Sequence, residues 1–205
     1  IAGGDFSVSV EERSAKDVMS QSMNKMINTQ RGYIESISKA MHNIAEGNLS
    51  SSVDIAYEGE YIPIKNSINN MLTSQREWVT EIIRVLDLLS KGILSDKIEM
   101  EFVGDYDALK IYINKMIDSQ RKYVSTISYV MNQVKEGDLS VSIEEDFEGD
   151  FLPIKESINL TVAQLNGYIN EIERVLDSIS GNDLTHTIDS DFKGNFNILK
   201  TSINE

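Results

Sequence analysis

A chain of 205 residues has the length of one or two globular domains, and its 40% hydrophobic content is enough for a packed core, which excludes wholesale disorder. A net charge of −14 disfavours nucleic acid and anionic membrane surfaces as partners, and no apolar run reaches the length of a bilayer span. With no cysteine, disulfides, thiolate metal sites and a cysteine nucleophile are excluded, which fits a cytoplasmic location. The sequence opens on Ile1 with no leader-like segment after it, as an excised piece of a longer protein would.

The sequence repeats itself every 45 residues. Asn24, Asn69, Asn114, Asn159 and Asn204 keep that interval. An aromatic-x-Gly-acid step recurs as Tyr57-Glu58-Gly59-Glu60, Phe102-Val103-Gly104-Asp105 and Phe147-Glu148-Gly149-Asp150, then in weakened form as Phe192-Lys193-Gly194-Asn195. A fixed period along the whole chain means an array of similar units rather than one globule with one cleft.

In chain order, a partial first unit carries Gly4 and the apolar pair Phe6 and Val10, without the aromatic-x-Gly-acid step, followed by a helical stretch through Asn24 to Gln30. The next unit ends its first helix at Gly47, continues through Leu49 and Val53, and starts a second helix near Glu60. Apolar residues then recur at Ile68, Leu72, Val79, Ile82, Leu86 and Leu89, with Gln75 at the one polar step. The third and fourth units repeat this as Ile113, Ile117, Gln120, Val124, Ile127, Met131, Val134 and as Ile158, Val162, Leu165, Ile169, Ile172, Leu176, Ile179. Alternating steps of 3 and 4 predict a narrow coiled-coil seam on one helix of about 30 residues per period. Pro63 and Pro153 fall in the first turn, where a missing amide proton costs nothing.

Gly47, Gly92 and Gly137, with Asn182 in the last copy, end these helices and suit the left-handed cap conformation. After each comes a pair of apolar anchors: Leu49 and Val53, Leu94 and Ile98, Leu139 and Ile143, Leu184 and Ile188. Polar residues between them predict an extended connector, long enough to return along a helix and start the next in the same direction. The connector ends on Glu60, Asp105 or Asp150, acids favoured at a helix N-terminus by the dipole. The repeated Asn, a weak helix former, is expected to bond connector backbone. Met26, Met71 and Met116 read as core filler that tolerates repacking.

Helix, Gly-x-Leu-x3-Val/Ile connector, acidic helix start and an Asn-x-Met step together resemble the HAMP domain of bacterial chemoreceptors and sensor histidine kinases, repeated in tandem along the entire chain. The resemblance implies an all-α fold of parallel homodimeric four-helix coiled-coil bundles stacked end to end, with long helices joined by extended connectors. The units run 1–30 (partial), 31–75, 76–120, 121–165 and 166–205 (partial, ending just inside its second helix). It also implies signal relay between an upstream sensor and a downstream output domain of the same polypeptide. The chain would then be cytoplasmic, as a free protein or as the cytoplasmic part of a membrane-anchored receptor.

Gln30, Gln75 and Gln120, with Leu165 in the fourth copy, occupy equivalent seam steps at the unit junctions. A polar residue there either sets register and oligomer state or keeps two packings close in energy. Glu60, Asp105 and Asp150 either cap a helix or, as the family implies, bias one packing state through a neighbouring contact. A longer period of 90 lies above the shorter one. Pro63-Ile64-Lys65 matches Pro153-Ile154-Lys155, and Glu81-Ile82-Ile83-Arg84-Val85-Leu86-Asp87 resembles Glu171-Ile172-Glu173-Arg174-Val175-Leu176-Asp177. Adjacent units therefore either hold two different packings or descend from a duplicated pair. Two other functions fit the repeat, a passive dimeric spacer and a monomeric helical-repeat binding scaffold.

No cofactor, metal site or catalytic constellation is expected. Asp189, Asp191 and Gly194 match offsets 1, 3 and 6 of a calcium loop, but Lys200 stands where a bidentate Glu is required, and the Glu144 loop ends likewise on Lys155. His42 and His186 lie in non-equivalent places beside no nucleophile motif. The chain is read as a non-enzyme.

Overall fold

The computed structural model describes residues 3–205; Ile1, from which the excised start is read, lies outside them. The described residues are all-helical, with no strand. Five α-helices follow in order: α1 (Val18–Ala45), α2 (Tyr61–Ser90), α3 (Asp105–Lys135), α4 (Leu152–Ser180) and α5 (Asn195–Asn204), with a 3-10 turn at Gly149–Phe151 before α4. The first four are 28 to 31 residues long, the length the repeat predicts.

The first four helices close their C-termini in one way. Gly47 N–H donates to the Ile44 carbonyl and Asn48 N–H to that of Asn43, the Schellman pairing, with Gly47 at φ +77. Asn182 takes the same role at φ 63, donating to Ile179 while Asp183 donates to Ser178. Past the cap, a short polar side chain turns the connector: the Asn48 Oδ1 accepts from the Ser50 N–H, Asp138 from Ser140, and Asp183 from Thr185.

Helix starts are less uniform. Glu60 flanks α2 but its side chain makes no capping hydrogen bond; the Tyr61 and Ile62 amides are satisfied by the Glu58 and Gly59 carbonyls instead. Asp105 is the first residue of α3, whereas Asp150 lies inside the 3-10 turn. These acids stand at helix starts, yet for Glu60 the favourable term is the helix dipole rather than a side-chain cap. At α1 the aromatic-x-Gly-acid step is replaced by Asp17, which accepts from Ser20 N–H (3.1 Å). That bond and one from the Arg13 amide hold its carboxyl below the usual range.

The chain forms two compact units, Ile1–Ile111 and Tyr112–Glu205. In the first, Tyr33 and Ala40 of α1, Val53 and Tyr57 of the connector, and Ile68 and Leu72 of α2 make one core. In the second, Tyr123, Val130, Ile143 and Phe147 make one core, and Val175, Ile188 and Phe192 another. The second connector anchors Val53, Ile98, Ile143 and Ile188 are all within 2% of full burial, each contributing about 1.5–3 kcal/mol by removal from water.

One sequence expectation needs correction. The helices are not single-seamed: Val85, Val130 and Val175, one position off the expected ladder, are buried to within 1%. Each first helix has two partners, its own connector and the downstream helix, and so needs a wider stripe than a two-stranded seam. Leu184 is 76% exposed, whereas Leu49, Leu94 and Leu139 are half-buried.

Candidate functional site

The connector is fastened to the downstream helix by side chains on one helical face. Asn69 Oδ1 accepts from the Val53 N–H (2.9 Å) and its Nδ2 donates to the Val53 carbonyl (3.2 Å). The amide thus pairs with one connector residue as a neighbouring β-strand would. Asn159 does the same to Ile143, Asn204 to Ile188 and Asn24 to Val10. One turn earlier, Lys65 Nζ donates to the Asp54 and Ile55 carbonyls, Lys110 to Glu99 and Met100, Lys155 to Glu144 and Glu145, and Lys200 to Asp189 and Ser190. These four lysines are half-buried. The ammonium groups of Lys155 and Lys200 hold the loops whose acid spacing resembled a calcium site. Farther along, Arg76 Nε donates to the Leu49 carbonyl (3.0 Å) and Arg31 Nε to that of Phe6 (2.7 Å). Behind the fourth unit's connector Asn166 stands at this position and lacks the reach of an arginine.

The upstream helix meets the connector through rings. Tyr33, Tyr57 and Tyr61 form a three-ring cluster with centroids 4.5 to 6.2 Å apart. Trp78, Phe102 and Tyr106 repeat it, then Tyr123, Phe147 and Phe151, then Tyr168, Phe192 and Phe196. The Glu58, Glu148 and Lys193 amides donate to the hydroxyls of Tyr33, Tyr123 and Tyr168, tying the aromatic-x-Gly turn to the first helix. Sequence reasoning found only the middle ring. The other two also recur at 45, but as Tyr, Trp or Phe off the aliphatic ladder.

Among the described residues, part of the ladder is left half open within the chain. Val79 and Leu86 are 38% and 41% exposed, Val124 and Met131 52% and 47%, Ile169 and Leu176 49% and 50%, and Ile34 and Met41 45% and 39%. These are four copies of one pair, seven residues apart on the first helix. Met26, Met71 and Met116, also exposed, extend the line on the downstream helix. At the junction between the two stretches lie half-buried Gln30, Gln75, Gln120 and Leu165. Gln30 is engaged within the chain, its Oε1 accepting from the Tyr61 hydroxyl.

The HAMP domain family model matches residues 17–77, 67–122, 113–167 and 156–205. The chain belongs to the HAMP domain family. No curated protein and no solved structure matches it significantly. HAMP domains are non-catalytic relay modules of receptors, and four tandem matches make this chain a poly-HAMP array. Among the described residues no helix is long and apolar enough to cross a membrane.

Within the HAMP units the predicted residues separate into two groups. Gly47, Leu49 and Val53, Gly92, Leu94 and Ile98, and Gly137, Leu139 and Ile143 lie on the connector, the glycines at positive φ and the second anchors in the cores. The glutamines and Leu165 lie apart from them on the helices, in line with the open stripe. Glu60, Asp105 and Asp150 are exposed and belong to none of the cores described. One ionic contact adds to the fourth unit: Lys122 of α3 pairs with Glu145 of the connector, which raises the lysine's pKa.

Proposed function

We propose that this poly-HAMP array is a signal-relay module acting as a parallel homodimer, passing a change in helix packing from an upstream sensor to a downstream output domain through units that alternate between two packings. The observation that carries the reading is the open stripe. Four equivalent pairs of large apolar side chains stay exposed at a heptad interval, while Ile68, Leu72, Ile117 and Val162 of the same ladders are buried, and a second copy in register would cover the exposed pairs. A monomeric scaffold would leave this stripe wet, and in a passive spacer the glutamines would serve only to set register.

The unit limits we assign are 31–75, 76–120 and 121–165, with partial units 1–30 and 166–205. In this scheme Gln30, Gln75 and Gln120 keep the two packings close in energy, Leu165 favours one, and the anchors carry helix displacement into the connector. Glu60, Asp105 and Asp150 bias the packing from the helix start. The array acts on the cytoplasmic side of the cell boundary and performs no catalysis itself. The test is Gln75→Leu with Gln120→Leu in the parent protein. A raised melting temperature with output locked in one state supports the relay; a normal response to stimulus refutes the role given to the glutamines.

A further inference from the structure

All the connectors are fastened to the downstream helix, but their attachment to the upstream helix differs between alternate units. In the third unit Arg84 on α2 bonds Glu81 through Nε (2.8 Å) and Nη2 (2.9 Å), and reaches the connector at Asp96 (Nη1, 2.9 Å) and at the Lys97 carbonyl (3.4 Å). In the fifth unit Arg174 donates to the Thr187 carbonyl (3.0 Å), 13 residues on as in the third. There Glu171 accepts from the Asp189 and Ser190 amides (3.2 and 3.4 Å). The Glu81 and Glu171 side chains are only 17% exposed. The corresponding residues are Ser36 and Lys39 in the second unit and Thr126 and Tyr129 in the fourth. In the second unit the polar contacts from connector to α1 run through the Tyr57 hydroxyl, to the Tyr33 carbonyl and Ser36, and through the Glu58 amide. In the fourth, Lys122–Glu145 joins two side chains that are each about half exposed, and the Glu148 amide donates to the Tyr123 hydroxyl.

We infer that Glu81–Arg84 and Glu171–Arg174 are locks that fasten the upstream helix to the connector in alternate units, so that first helix and connector move as one body in the third and fifth units and separately in the second and fourth. In the third unit the Arg84 guanidinium grips Glu81 on its own helix and acceptors on the connector, which fixes direction as well as distance, whereas in the fifth Arg174 and Glu171, 3.8 Å apart, each bond connector backbone. The ring cluster common to all four units is less directional and tolerates sliding where no such pair backs it. The inference rests on the relay reading and gives the 90-residue period a physical content: stiff units alternate with compliant ones.

Native-state hydrogen exchange on the 205-residue chain tests it, since elements that open together share one opening equilibrium. In the wild type, amides at the end of α2 and in the connector at 94–101 should follow one denaturant dependence, whereas those at the end of α1 and at 49–56 should follow two. Arg84→Gln should split the first pair and speed exchange at 94–101 by about tenfold, with 49–56 unchanged. Arg84→Lys keeps the charge but not the fork and should behave the same way. The double variant Ser36→Glu with Lys39→Arg should slow exchange at 49–56 and merge the second pair. Unchanged exchange at 94–101 in Arg84→Gln, or equal effects on both connectors, overturns the lock. Crosslinking of Gln75→Cys on the same preparation reports whether the dimer of the relay reading is present, so the two failures are told apart.

Discussion

Replacing Asn69 with alanine removes two hydrogen bonds to one connector residue, at 2.9 and 3.2 Å, and leaves the Val53 amide and carbonyl without those partners. Val53 is 2% exposed, so water cannot readily take their place. Each lost bond costs about 1 kcal/mol net and an orphaned buried group about 1–3 kcal/mol. Alanine recovers at most about 0.7 kcal/mol through its better helix propensity. A net loss of about 1–3 kcal/mol follows, seen as a lower urea midpoint at unchanged slope. Asn69→Asp keeps the acceptor and loses the donor, so it should retain roughly half of the difference. Exchange of the Val53 amide should rise in Asn69→Ala far more than in Asn69→Asp. An alanine variant as stable as the wild type, with the Val53 amide still protected, would refute the idea that this side chain pins the connector.

Gly47→Ala meets open space but must hold φ +77, so it should cost about 1–2 kcal/mol by urea unfolding, whereas Asn182→Gly should change stability by a few tenths at most. Leu49→Ala should destabilise measurably and Leu184→Ala should not, because Leu184 is already 76% exposed. The Arg84 guanidinium holds the Glu81 carboxyl below its ordinary value of 4.5. The folded state therefore binds this proton more weakly than the unfolded chain. The stabilisation is complete above the ordinary glutamate range and is lost as pH falls through the lowered folded value. The stability gap between wild type and Glu81→Gln should accordingly be constant from neutral pH down to about 6 and shrink below about 4 in a urea series at stepped pH.

Much of this architecture is legible in the residues because each unit repeats its punctuation. Gly47 and Asn182 announce a left-handed cap, and an Asn repeated inside a helix predicts a bond to backbone, which the pairs Asn69–Val53 and Asn159–Ile143 realise. The lysines are harder to read. Lys65 and Lys155 stand within a repeated Pro-Ile-Lys, but their carbonyl partners lie 10 and 11 residues back, a separation that only the connector's return path explains. Tyr33 and Trp78 escape a search for an aliphatic ladder, because a ring with a polar tip fills the angle between helix and turn. Val85 falls outside a two-stranded seam because the helix serves two partners.

The central claim is the parallel dimer, and the absence of native cysteine makes it directly testable by single substitutions at Gln75, Val79, Leu86 and Val85. A disulfide needs Cα atoms within about 7 Å. The account predicts covalent dimers on mild oxidation from Gln75→Cys and from Val79→Cys and Leu86→Cys, the last two replacing side chains exposed in the single chain. It predicts none from Val85→Cys, since Val85 is buried within its own chain, as its counterpart Val175 is beside Ile188. Position 75 lies too far from the chain's midpoint to meet itself in an antiparallel pair. A monomeric mass in solution, with no crosslink at 75, 79 or 86, would contradict the dimer and the relay built upon it.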